Sequence, residues 1–224
     1  VNSAGLQRMG FVDDDGAVIA AAIPSGGWVE AAAGGAATGR VFEQAMFDIM
    51  EPALARDPAR VALAGPDDRL AALRRVQHDY LARGVTSLTE ALCSETGWEL
   101  LESVQGMGRA PRYAALVAAG DAELVQKLRA RDSAGVHLVG LKSFVDGALN
   151  GGTCLLSEPA AAGEPQQLRG VEEIAAELEL ARSLGLRLGV HANGDAAIDV
   201  VLQASDRVRS SGRIEHGSVI RDDQ

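Results

Sequence analysis

The stretch Leu186-Arg187-Leu188-Gly189-Val190-His191-Ala192-Asn193-Gly194-Asp195, with Arg213-Ile214-Glu215-His216-Gly217 downstream, decides how the chain reads. Each piece is an apolar run ending on a histidine, which predicts strands at 186–190 and 213–216. Residues 195–208 between them read as a helix capped by Asp195. Strand, helix and strand at this spacing form a right-handed βαβ unit with parallel strands.

The same alternation extends upstream. Leu70, Leu73, Val76, Tyr80 and Leu81 make a helical stripe that stops at Gly84, and Val85-Thr86-Ser87-Leu88-Thr89 reads as a strand. A helix near 95–104, a strand near 113–118, a helix at 121–131 and a strand at 136–145 follow. A Gly- and Pro-containing loop spans 147–169. Val171, Ile174, Ala175, Leu178, Ala181 and Leu184 then mark an amphipathic helix with Glu172 and Glu173 in its first turn, ended by Gly185. Residues 1–65 differ: they are rich in Gly and Ala, and read as loops and short strands leading into a helix near 41–54. Two domains are therefore expected, an irregular segment at 1–65 and an α/β unit at 66–224.

Parallel strands alternating with helices leave a doubly wound sheet or a (β/α)8 barrel. Glu90, Lys142, Asp146, His191 and His216 all fall at or just past the C-terminal ends of strands, where barrel active sites assemble, so the barrel is favoured. Five strands are counted, so the expected fold is a partial TIM barrel, about strands 2–6.

Composition narrows the function. The 224 residues carry 21 basic and 31 acidic side chains, a net charge of -10, which argues against nucleic acid or an anionic membrane as partner. No apolar run reaches the roughly 18–20 residues that span a bilayer. Cys93 and Cys154 form no disulfide framework and no Cys-x-x-Cys pair, which points to the reducing cytoplasm.

Two of the four histidines stand at equivalent strand ends one βα unit apart. Neutral imidazoles so placed suit zinc or a similar divalent ion; the alternative is a pair of core histidines hydrogen-bonded to backbone. Lys142, in Leu141-Lys142-Ser143-Phe144-Val145-Asp146, sits in a strand buried on both faces, where an ammonium needs a partner or must lose its charge. A salt bridge to Asp146 or Glu90, snorkelling to the rim, carboxylation by carbon dioxide and a Schiff base with a carbonyl substrate all remain open.

Lys142-Ser143-Phe144-Val145-Asp146-Gly147, His191-Ala192-Asn193-Gly194-Asp195 and Arg213-Ile214-Glu215-His216 resemble the motifs of amidohydrolase family 3, the YtcJ-like metal-dependent amidohydrolases. Val1-Asn2-Ser3-Ala4, Thr38-Gly39-Arg40-Val41-Phe42-Glu43 and Gly84-Val85-Thr86-Ser87 resemble further family segments in the same order. The resemblance implies a bridging, carboxylated Lys142 on the fourth barrel strand, with His191 and His216 as metal ligands on the fifth and sixth. It implies hydrolysis of a non-peptide carbon–nitrogen (amide-type) bond of a small molecule by a metal-activated hydroxide, with one or two divalent ions, zinc foremost. Asp146, Asp195 and Glu90 would support the site: Asp146 shaping its turn, Asp195 the histidine loop. Thr89-Glu90 stands where many relatives have His-Asp. The family's first-strand His-x-His and eighth-strand aspartate, the general base, are absent from these residues. The chain is thus expected to be the central part of a longer barrel and inactive alone; a barrel kept for binding is the competing expectation.

Overall fold

The computed structural model describes residues 1–24, 27–56, 65–132, 135–158 and 165–224. Expectations for 25–26, for 57–64 and for 159–164 in the loop after Lys142's strand lie outside the described residues. The chain divides into two compact units, Val1–Gly65 and Pro66–Gln224.

In the first unit, helix α1 (Ser3–Arg8) starts on Asn2, whose side chain accepts from the Gly5 N–H. Strands β1 (Gly27–Ala31) and β2 (Ala37–Glu43) pair antiparallel. Trp28 and Phe42, directly opposite in that register, stack with ring centroids 4.6 Å apart. The helix expected from 41 onward begins later. β2 runs through Glu43, and a π-helical turn (Ala45–Met50) leads into α2 (Glu51–Ala55). Cross-strand packing of Val41 and Phe42 against β1 outweighs their place in a helical pattern. Leu6, Phe11, Val12, Val29 and Ala45 form this unit's core.

The second unit is a partial (β/α)8 barrel. Its parallel sheet has the order β3 (Ser87–Glu90), β4 (Arg112–Ala118), β5 (Val136–Phe144), β6 (Arg187–Ala192), β7 (Arg213–His216). The helices are α3 (Pro66–Ala82), α4 (Glu95–Gln105), α5 (Ala122–Arg129), α6 (Val171–Ser183) and α7 (Asp195–Val208). The local signals act as their chemistry predicts. Gly84 has φ +81, a backbone left-handed turn that ends α3, and Gly185 has φ +66 after α6. The Glu173 carboxylate accepts from the Gly170 N–H at 2.8 Å at the start of α6.

One face of the sheet packs on the helices. Val117, Leu141, Leu188, Val190 and Ala192 meet Trp98, Leu128, Ile174, Leu178 and Val201 in one apolar layer. The stripe expected on α3 is only partly buried. Val76 and Tyr80 stay exposed, and Gln77 is buried instead, donating to the Tyr113 hydroxyl at 2.7 Å. The packing partner on β4, not the apolar pattern, selects the inward face. The opposite face of the sheet carries Lys142, Gly189 and His191, by strict alternation with the helix-side residues.

A bulge in β5 sets where Lys142 lies. Ala115 pairs with Leu138, but Leu116 pairs with Gly140, so Val139 is an extra residue. Lys142 consequently stands opposite Ala118 on β4 and Gly189 on β6. Without the extra residue Ala118 would face Leu141, and a one-residue slip exchanges the two faces of a strand.

Candidate metal centre

Lys142, His191 and His216 meet on the face of the sheet away from the helices, at the C-terminal ends of β5, β6 and β7. Phe144 pairs in register with His191, and their rings are 5.2 Å apart. The Lys142 ammonium lies over the Phe144 ring, 4.8 Å from its centroid. The imidazoles of His191 and His216 meet edge to face, with centroids 4.6 Å apart. Lys142 is 5 % exposed. Gly189 leaves room beside it: a Cβ there would lie 2.9 Å from Leu116 and 3.0 Å from a Glu215 oxygen.

His216 reaches this face through a distorted strand end. Ile214 packs toward the helices and His216 pairs with Ala192, also on the helix side, so regular alternation would turn the histidine away from His191. Instead His216 has φ +76, and the Gly217 N–H donates back to the Glu215 carbonyl at 3.2 Å. A positive φ with this hydrogen bond is the strained form of the γ-turn, a conformation costing about 1–3 kcal/mol in a residue with a side chain. Its effect is to bring the second imidazole onto the first.

Charge in the cluster is arranged around burial. Burial pushes the Lys142 ammonium below its usual pKa, Glu215 opposes the shift and Arg213 adds to it. Burial also lowers His216, reinforced by His191 and Lys142. Both effects favour neutral nitrogen, which is the state that binds a metal ion or attacks carbon dioxide. Glu215 itself accepts from the Arg213 guanidinium, with Nε at 2.7 Å.

Asp146 is not paired with Lys142. Its carboxylate, 1 % exposed, accepts three backbone N–H groups: Asn193 on Oδ1, and Gly194 and Leu155 on Oδ2, each at 2.9 Å. It therefore shapes more than its own turn, because it clamps the loop after β6 to the loop after β5. A Cβ on Gly194 would sit 1.8 Å from the Leu155 carbonyl oxygen, so only glycine allows this approach.

Asp195 does not cap α7. The N-cap is Gly194, and the Asp195 carboxylate accepts from the Ser157 N–H at 2.9 Å, from the Ser157 hydroxyl and from Arg221 Nη1 at 2.9 Å. Arg221 Nη2 also donates to Asp199 at 2.9 Å. The Ser157 hydrogen bonds, then Arg221, hold Asp195 far below the usual carboxylate range. The capping expectation fails because a better set of donors lies across the rim. Glu90 stays apart, exposed at the end of β3 and accepting from the Leu92 N–H at 3.4 Å.

Asn193, Ser218 and Arg221 were not singled out from the sequence as partners of the site. Asn193 lies inside the His191 motif but carries no distinguishing pattern, and Ser218 and Arg221 follow the last strand without any periodic signal. Among the described residues, no group of three or more His, Cys, Asp or Glu side chains is arranged to hold a metal ion. The donor set present, two imidazoles and a buried amine that has no ion pair among the described residues, nevertheless fits part of a divalent-metal site built on nitrogen donors. A cavity of about 320 Å³ lined by Arg74, Gln77, His78, Val104 and Met107 shares no residue with the cluster. No helix among the described residues is long and apolar enough to cross a membrane.

The profile of the amidohydrolase family matches residues 1–224. A crystal structure of an uncharacterized metal-dependent hydrolase from Pyrococcus furiosus superposes with a TM-score of 0.68 at 24% identity, covering 100% of this chain and 44% of that one. One from Pyrococcus horikoshii OT3 gives 0.67 at 26% identity, with 100% and 43% covered. The chain thus spans less than half the length of these structures. No curated protein matches it.

Proposed function

The chain belongs to the amidohydrolase family, and from that premise we propose that it forms the central strands of a metal-dependent hydrolase cleaving a non-peptide carbon–nitrogen, amide-type bond in a small molecule. The observation that carries this reading is the meeting of His191 and His216, 4.6 Å apart, beside the buried Lys142.

In this reading His191 and His216 offer imidazole nitrogens to a divalent ion, zinc being the one best matched to nitrogen and oxygen donors. Such an ion, when bound, acts as a Lewis acid on a carbonyl and lowers the pKa of water. Lys142, held toward its neutral form by burial, would be the amine that takes up carbon dioxide as an anionic carbamate, its proton passing to solvent. That group would supply anionic oxygen donors where a buried ammonium would be costly. Asp146 does not compete as a ligand, since three backbone N–H groups occupy it, and it keeps the two rim loops in place. Asp195 secures the outer rim through Ser157 and Arg221, and Glu90 has no part in the cluster. The general base is not assigned to any of these residues.

Residues 1–65 serve, in this proposal, as the family's irregular insertion segment. The net charge of -10 supports a small-molecule partner over nucleic acid or a membrane, and the two free, buried cysteines support a cytoplasmic setting.

The test is metal analysis of the purified protein beside the His191→Ala and His216→Ala variants. Metal present in the parent and reduced at least severalfold in both variants is expected; full content in both would refute the reading. An amine pushed toward its neutral form by burial also suits a Schiff-base lyase, a reading that the two strand-end histidines disfavour. Borohydride trapping of a carbonyl substrate on Lys142 would support that alternative, and carbon-13 carbamate signal on Lys142 would support the hydrolase.

A further inference from the structure

We propose that the cavity between α3 and the turn leading from α4 into β4 is a second binding site, separate from the metal cluster, for a small aliphatic hydroxycarboxylate. The proposal stands apart from the hydrolase reading and does not rest on it.

One wall is the face of α3 that carries Arg74, Gln77, His78 and Leu81, spaced i, i+3, i+4 and i+7. The helix turns this largely polar face to the cavity and leaves Val76 and Tyr80 exposed, the reverse of what burial of apolar surface favours. The other wall is Val104 near the end of α4, with Met107 and Arg109 in the turn before β4. At about 320 Å³ the space matches the lower end of small-molecule pockets.

Arg74, His78 and Arg109 border the cavity, and no carboxylate does, in a chain whose net charge is -10. Among the described residues neither arginine makes an ion pair or a hydrogen bond. On α3 the residues three and four positions from Arg74 are Leu70, Ala71, Gln77 and His78, so the helix itself supplies no acid partner. The end of α3 is served by Arg83 instead, whose Nη1 donates to the Asp79 carbonyl at 2.9 Å. His78 has Asp79 Oδ1 at 3.9 Å, with both side chains open to solvent. Two guanidinium groups bordering one space suit a carboxylate.

Gln77 identifies a second group on the ligand. It is 3 % exposed, and its Nε2 donates to the Tyr113 hydroxyl at 2.7 Å, while Oε1 has no hydrogen bond among the described residues. A buried amide with one end unpaired is costly, and a ligand that pairs it is favoured. A hydroxyl does so whichever way round the amide stands, donating to Oε1 or, with the amide reversed, accepting from Nε2. Leu81, Val104 and the adaptable Met107 suit a short alkyl chain. Phosphate fits less well, because α3 and α4 both bring their C-terminal, negative dipole ends here. The cavity lies before the first residue of β4, and the metal cluster lies past the other end of the strands, roughly 20 Å along the sheet. A ligand held here is recognised and not turned over.

The test is titration of the full chain with β-hydroxyhexanoate, read by carbon-13 NMR of the methionine methyl groups. Met107 is the reporter, and Met9, Met46 and Met50, all in the first unit, should not move. A saturable shift is expected with a Kd on the order of 1 mM, the range for a ligand of this size. Hexanoate, which lacks the hydroxyl, should bind about threefold or more weakly. The methyl ester of β-hydroxyhexanoate should bind about fivefold or more weakly, as should the acid to Arg74→Gln and Arg109→Gln, both changes at exposed positions. The absence of a saturable Met107 shift up to about 20 mM would overturn the site. Hexanoate binding as well as the hydroxy acid overturns the role of Gln77. Equal binding of the ester, or parent-like affinity in both arginine variants, overturns the carboxylate. Inorganic phosphate displacing the hydroxy acid at equal concentration would mark a plain anion site and overturn the ligand class.

Discussion

Replacing Asp146 by asparagine keeps the shape of the side chain and removes its ability to accept from all three neighbours at once. Three N–H groups converge on this carboxylate, one on Oδ1 and two on Oδ2, in a site 1 % exposed. An amide has one oxygen, and it does best in the Oδ2 position, where it keeps Gly194 and Leu155 and turns its NH2 toward the Asn193 N–H. One buried donor is then unpaired, at about 1–3 kcal/mol, and the two remaining bonds lose their charge assistance, at about 1 kcal/mol each. The total is about 3–5 kcal/mol, which for a unit of this size lowers the melting temperature by roughly 10 °C. Urea denaturation of parent and Asp146→Asn, followed by circular dichroism, measures it at neutral pH. A variant within about 0.5 kcal/mol of the parent would mean that water or a moved loop replaces the carboxylate, and that Asp146 does not clamp the rim.

Gly194→Ala should destabilise by about 3 kcal/mol or more, because its Cβ meets rigid backbone at Leu155, 1.8 Å away, and relief must separate segments that Asp146 holds together; near-parent stability in the same denaturation assay would contradict that packing. Asp195 and Asp199 are held below their usual range, Asp195 by Ser157 and then Arg221, Asp199 by Arg221 first. Their folded pKa lies below the unfolded value, so this stabilisation is complete above about pH 4–5 and fades as pH falls further. The stability gap between parent and Arg221→Ala should therefore be larger at pH 7 than at pH 3, and an equal gap at both would refute the linkage. Cys93, 3 % exposed, has its thiol pushed up to about 11 by burial and by Glu90. It should resist alkylation by iodoacetamide at pH 8 in the native protein and react on unfolding, as mass spectrometry of the peptide would show.

The parts of this molecule legible in its sequence are those governed by neighbours in the chain. Gly84 and Gly185 end helices because a left-handed residue is needed there, and that need is local. The apolar runs ending at Lys142, His191 and His216 announced parallel strands, since runs buried by helices on one side of a sheet keep their hydrophobic character regardless of partner. The strand-end placement of the three polar residues followed from the same periodicity. Residues 41–43 were misread as helix because β2 is held by its pairing to β1, which no window of sequence contains. Asp195 was misread as a cap because Ser157 and Arg221, its actual donors, are distant in the chain.

By itself, then, the sequence determined the alternation of strands and helices, the half of a barrel it builds, and which side chains stand at the rim. Tertiary structure alone decided how those side chains meet. The extra residue at Val139 sets the register that puts Lys142 beside Gly189, and the positive φ of His216 turns its ring back onto His191. Asn193 and Asp146 bind three loops through hydrogen bonds between segments far apart in sequence. The physical reason is one of range. Propensity and periodicity act over a few residues, whereas register, strain and buried hydrogen-bond networks exist only once distant segments are in contact.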